Sequence, residues 1–145
     1  MFTKRRFLSV AAAASVVCAA ALSGCASTAI EPAKPSEGVF FIDLADGATV
    51  TSPIKVKFGV MGKEVKPAGD ATPNSGHHHL LVNLDAKPAG EAIPFDAMHI
   101  HYGKGQTEAE VKLAPGDYKL TMQFANLAHE SYGPAWSKTI RVTVK

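Results

Sequence analysis

The stretch Ile54-Lys55-Val56-Lys57-Phe58-Gly59-Val60 alternates apolar and polar residues one by one. Tyr118-Lys119-Leu120-Thr121-Met122-Gln123-Phe124 does the same, and so does Ile140-Arg141-Val142-Thr143-Val144. A period of two puts every second side chain on one face of an extended chain. These segments are therefore strands with one buried and one wet face. Weaker strand patterns cover Val39–Asp43, His77–Leu84, Met98–Tyr102 and Glu108–Leu113. Turn chemistry separates them: Asp46-Gly47, Ser52-Pro53, Pro73-Asn74-Ser75-Gly76, Pro115-Gly116 and Gly133-Pro134. No segment carries a helical period over ten residues. The pattern predicts an all-β fold, an immunoglobulin-like antiparallel β-sandwich of about seven strands. A small β-barrel is the alternative. Trp136, at the start of the last strand, is expected to pack or to cap an edge.

The segment ahead of this domain reads as an address. Lys4, Arg5 and Arg6 precede an apolar, alanine-rich run from Leu8 to Leu22. That run is shorter than the roughly 20 residues a membrane span needs, and it has the layout of a secretory signal. It ends in Leu22-Ser23-Gly24-Cys25, which resembles a bacterial lipobox, in which the cysteine is acylated and becomes the new N-terminus. Residues 1–24 are thus read as a lipoprotein signal peptide. Cys25 is the lipidation site, residues 25–37 are a linker rich in Ala, Pro and Ser, and residues 38–145 are the sandwich. Two acyl chains suffice to hold a protein at a bilayer without spanning it. Ala26 after the cysteine resembles the sorting signal for the outer membrane, which implies a periplasm-facing anchor in a Gram-negative host. Arg5-Arg6-Phe7-Leu8 also resembles, in an imperfect register, a twin-arginine signal; ordinary cleavage near Ala29 is the soluble alternative.

The whole chain has 145 residues and a net charge of +2. Loss of the three basic residues of the signal leaves 12 basic against 13 acidic residues and a net charge near −1. A nucleic-acid or polyanion partner has no electrostatic basis in such a domain. Both cysteines, Cys18 and Cys25, lie in or at the end of the signal. The mature domain has neither a disulfide nor a thiolate ligand.

All six histidines fall between His77 and His129. On the strand from His77 to Leu84, His78, Leu80 and Val82 share one face, and His77, His79 and Leu81 share the other. On Met98–Tyr102, His99 and His101 lie opposite Met98, Ile100 and Tyr102. If the apolar sets face the core, then His77, His79, His99 and His101 face outward, and His78 is a buried, hydrogen-bonded core residue. Residues i and i+2 on one strand face stand roughly 6.5–7 Å apart, so two such pairs on neighbouring strands can converge on one ion. His129, in the loop Asn126–Gly133, can close the site. Asp85, Glu91 and Asp96 in the connecting loop are candidate ligands or acceptors for an imidazole N–H. An all-imidazole set suits Cu(II), Zn(II) or Ni(II), and copper heads the affinity order for nitrogen donors. Met61 and Met98 can add thioethers for Cu(I), although Met98 and Met122 pattern as core residues.

The blocks Val39-Phe40-Phe41-Ile42-Asp43, Gly76-His77-His78-His79-Leu80-Leu81-Val82, His99-Ile100-His101-Tyr102-Gly103-Lys104-Gly105 and Leu113-Ala114-Pro115-Gly116 resemble a bacterial envelope family catalogued as domain of unknown function 4399. A histidine in the Ala125–Pro134 loop completes the resemblance. It implies an exported, mostly β domain and no established activity. Motifs for catalysis are missing: no Gly-x-Ser-x-Gly elbow, no Gly-x-Gly-x-x-Gly loop. The expected function is a lipid-anchored, non-catalytic envelope protein that binds copper or zinc through His77, His79, His99, His101 and His129. The alternative is an envelope module that docks another protein and uses its histidines as structural braces.

Overall fold

The computed structural model describes residues 36–145. The expected signal peptide, Cys25 and all but the last two residues of the linker lie outside the described residues. The described chain is all-β. Its strands are β1 (Gly38–Ile42), β2 (Ala48–Val50), β3 (Ile54–Met61), β4 (Glu64–Val65), β5 (Ser75–Val82), β6 (His99–Tyr102), β7 (Glu108–Val111), β8 (Gly116–Ala125) and β9 (Ser137–Val144). One 3-10 turn, Pro134–Trp136, leads into β9. No helix of the described residues is long and apolar enough to cross a membrane.

Two sheets form. One has the order β1-β3-β7, and the other the order β2-β9-β8-β5, with β4 and β6 both pairing on the far side of β5. The alternation in β3, β8 and β9 turns their apolar residues inward. Val56, Phe58, Leu120, Phe124, Ile140 and Val142 all belong to one buried cluster that draws on both sheets. Phe58 of the first sheet reaches Tyr102 and His78 of the second, with ring centroids 4.6 and 5.2 Å apart. Aromatic packing of this kind adds to the area that the rings bury.

The seven expected strands are present at the expected places. Two were not foreseen, β2 and β4, and both pair in parallel, β2 with β9 and β4 with β5. A purely antiparallel arrangement is therefore corrected to a mixed one. These strands have three and two residues, too few to show a period. Trp136 lies in the turn before β9, partly buried against the core beside Phe124 and Tyr132. Met122 is fully buried as the pattern predicts, whereas Met98 is exposed, because β6 begins only at His99 and Met98 sits in the turn ahead of it.

Candidate metal centre

β5 lies between β8 and β6, and all eight of its residues are buried. Its two faces meet different surroundings. His78, Leu80 and Val82 point into the core, where the His78 ring packs against Phe58 and, at 4.9 Å, against Phe124. Neither nitrogen of His78 has a hydrogen-bond partner among the described residues. The expectation that His78 is buried holds; the expected hydrogen bond is absent, because only apolar and aromatic groups surround the ring.

The opposite face carries His77, His79 and Leu81. Antiparallel pairing sets His101 of β6 across from His79, and His99 across from Leu81. The adjacency of the two histidine strands, which sequence could only assume, is thus real. These side chains were expected to lie on the exterior. They do not: His77 and His79 are 0% exposed. The long connection after β5 folds back over this face and roofs it. Lys87 N–H donates to the Gln123 side chain at 3.0 Å. The Thr121 hydroxyl donates to the Leu84 carbonyl at 2.8 Å. Ile93, 2% exposed, sends its N–H to the carbonyl of His129 at 2.9 Å. The outer face of the sheet has become a second, smaller interior.

The loop after β8 brings in His129. Asn126 organises it: its side-chain oxygen accepts the N–H groups of Ala128 and Glu130 at 2.9 and 3.0 Å, and its carbonyl accepts that of His129 at 3.0 Å. His129 is held at φ +64°, the left-handed region that few residues other than glycine adopt. Such a conformation persists only where the surroundings over-determine it; here the Asn126 turn and the bond from Ile93 do so. The result is an imidazole aimed back at β5.

Four rings now converge. His77, His79, His101 and His129 each offer a nitrogen, and these atoms all lie within 4.8 Å of one another. His77 Nε2 is 3.0 Å from His79 Nε2 and 3.1 Å from His129 Nδ1. The His101 ring centroid is 4.7 Å from that of His129, 4.9 Å from His79 and 5.0 Å from His77. Gly103 makes room for it, since a Cβ at that position would collide with the His101 ring.

The spacing decides what the group can do. Nitrogens bound to one zinc at about 2.0–2.1 Å stand roughly 3.3 Å apart in a tetrahedron and about 2.9 Å apart at the right angles of a square plane. The two short separations fall in that interval. As a hydrogen-bond network the same arrangement is frustrated. A ring nitrogen has either one N–H or one lone pair, yet His77 Nε2 faces two other ring nitrogens at once. Turning the lone pairs inward sets them against one another with no donor between them. Turning the N–H groups inward crowds them together. A cation at the centre satisfies the converging lone pairs together.

Protonation of His77 and His79 does not compete at neutral pH. Burial first, then the neighbouring His101 and His129, lowers His77 to about 4. Burial and the surrounding imidazoles lower His79 to about 2. His101 is also lowered, by burial and by His129. Neutral imidazole is the form a metal binds.

His99 stands apart from the group. Its Nδ1 lies 2.9 Å from both oxygens of Asp96, whose Oδ1 also accepts the N–H of Met98 and of His99. This turn at the head of β6 draws the ring toward the loop rather than toward His77. Asp96 is therefore an acceptor for an imidazole N–H, as expected, but for the imidazole outside the group. Asp85 pairs with Lys119 and Glu91 with Lys87, so neither carboxylate joins it.

The family model described as Domain of unknown function (DUF4399) matches residues 56–145. The chain belongs to this family. No curated protein and no solved structure matches it. The matched region takes in β5, β6, β8 and the turn after β8, and so contains all four converging histidines.

Three residues that shape the centre escaped the sequence reading: Phe95, Gly103 and Asn126. Gly103 had a weak signal, a glycine two residues after a histidine on a strand. Asn126 in a turn is common and unspecific. Phe95 stood in a loop with no period to give it a place.

Proposed function

We propose that this chain is a lipid-anchored cell-envelope protein that holds one transition-metal ion, without catalysis, through His77, His79, His101 and His129. Copper is the favoured ion and zinc the second, because nitrogen donors bind copper(II) most tightly of the divalent first-row metals. The lipobox-like Leu22-Ser23-Gly24-Cys25 supports the anchor, and Ala26 supports the periplasmic face of an outer membrane. One observation carries the metal reading: four imidazole nitrogens from β5, β6 and the turn after β8 lie within 4.8 Å of one another, with His77 and His79 fully buried. One N–H···N bond can satisfy the His77–His79 pair or the His77–His129 pair, but His77 Nε2, with a single proton or lone pair, cannot fully satisfy both, whereas a cation can take all the converging lone pairs.

The test uses the full chain purified without a nickel column, loaded with copper(II) or zinc(II), desalted and assayed for bound metal. One equivalent is expected, and the His79→Ala/His101→Ala double variant should retain almost none. His101→Gln, at a half-buried position, checks the same point with less risk to folding. Binding should weaken in acid as pH falls toward about 4, where His77 begins to take up a proton. Retention well below one equivalent, or equal retention by wild type and both variants, overturns the proposal in favour of a docking module braced by histidines.

A further inference from the structure

The four ligand rings are not equally deep. His77 and His79 are fully buried, while His101 and His129 are half-buried and form the outer side of the group. The Phe95 side chain lies against those two rings. Its centroid is 4.9 Å from His101 and 4.8 Å from His129, with the planes nearly perpendicular at 88° and 78°. Phe95 is itself 64% exposed. A phenyl ring so open to water contributes little to a core. It stands between solvent and the half-buried side of the centre.

Its backbone is fixed on both sides. Two residues earlier, Ile93 is buried and bonded to His129; one residue later, Asp96 is tied to the N–H groups of Met98 and His99. The segment is short, and its ends are pinned. What can move is the ring, about χ1 and χ2, and because such rotamer changes are fast, the fraction of time the ring stands aside sets the traffic past it.

We propose that Phe95 is the gate of the metal centre. It governs how fast an ion enters and leaves through the His101–His129 side and excludes water and larger ligands from it, without supplying a donor. This rests on the metal reading above and adds the route of exchange to it. Removing the ring should open the route and leave the four donors in place. The rates then change more than the amount bound.

The experiment loads the full chain with one equivalent of copper(II) and follows its release to excess EDTA. Wild type, Phe95→Ala and Phe95→Tyr are compared, and the melting temperature of each metal-free protein is recorded. Phe95→Ala should release copper at least tenfold faster, while still holding one equivalent before the chelator is added. Phe95→Tyr, which keeps the ring, should restore the slow release. The metal-free melting temperatures should stay close together, since the ring is mostly exposed; a merely structural role would move them instead. Copper retained by all three proteins and released at rates within twofold overturns the gate and leaves the centre standing. No copper retained by the wild type overturns the centre, and the gate falls with it.

Discussion

On one face of β5 the His78 ring lies between Phe58 and Phe124, with no hydrogen-bond partner for either nitrogen among the described residues. On the other, His77 and His79 turn toward each other and toward His101 and His129. The backbone is continuous, the residue type is the same, and burial is complete on both sides. Burial alone therefore does not make a centre. It lowers the pKa of an imidazole on either face, to about 3 for His78 and to about 4 and about 2 for His77 and His79. What separates the faces is convergence. The core face offers His78 only aromatic and aliphatic neighbours. The roofed face offers His77 three more imidazoles, one from the same strand and two delivered by other segments.

Acid should act on both faces at once and gives the largest expected effect. All three β5 histidines have folded-state pKa values below the ordinary 6.5. The unfolded chain takes up these protons first as pH falls, so acid favours it. The stability held by the neutral rings is complete above about pH 6.5 and is lost progressively as pH falls through about 4 and below. Thermal melts of the metal-free protein between pH 7.5 and 4.5 should show a steep monotonic fall. Bound metal should raise the upper end of that curve, since it binds only the folded, neutral form. A flat profile would mean that the rings reach water or acquire partners.

The core face can be altered by itself. Two buried nitrogens without partners cost about 1–3 kcal/mol each in desolvation, a cost that an apolar group of similar shape avoids. His78→Leu should therefore stabilise the protein, with a gain of about 1 kcal/mol raising the melting temperature by roughly 4–8 °C. It should also flatten part of the acid profile, because one of the three depressed imidazoles is gone, and metal retention should be unchanged. A destabilised variant that also loses metal would show that His78 supports the centre through the strand and would erase the distinction between the faces.

The β pattern itself was readable because alternation is a local property. Ile54 to Val60 and Tyr118 to Phe124 declare their faces residue by residue. That His77 and His79 can meet a histidine of β6 follows from two i, i+2 sets, once the strands are known to be neighbours; the register that sets His79 across from His101 does not. The roof over that face was not readable. The connection from Asn83 to Ala97 has no period, and Ile93 is its one residue driven into the interior by the return of the chain. Its attachment depends on Gln123, Thr121 and His129, each 36 or more residues along the chain from the residue it holds. Nothing local signals such contacts, so His77 and His79 were expected on the surface. The left-handed turn that aims His129 inward was hidden for the same reason, since its conformation is set by a pinned loop.

β6 repeats the contrast at smaller scale, and its prediction is the smallest. His99 and His101 are two residues apart on one strand face, and sequence treats them as equivalent donors. Asp96 separates them. Its carboxylate holds His99 Nδ1 from both oxygens, and the His99 side chain keeps only 10% of its surface exposed. His101 has no such carboxylate, and its ring lies over Gly103 and among the other three. His99→Gln should therefore leave metal stoichiometry and release rate within about twofold of wild type, with a stability change of about 1 kcal/mol, as for a typical single substitution. His101→Gln, two residues on, should lose most of the metal. If the two variants lose metal equally, His99 reaches the ion despite Asp96, and the donor set is larger than the four rings that the fold brings together.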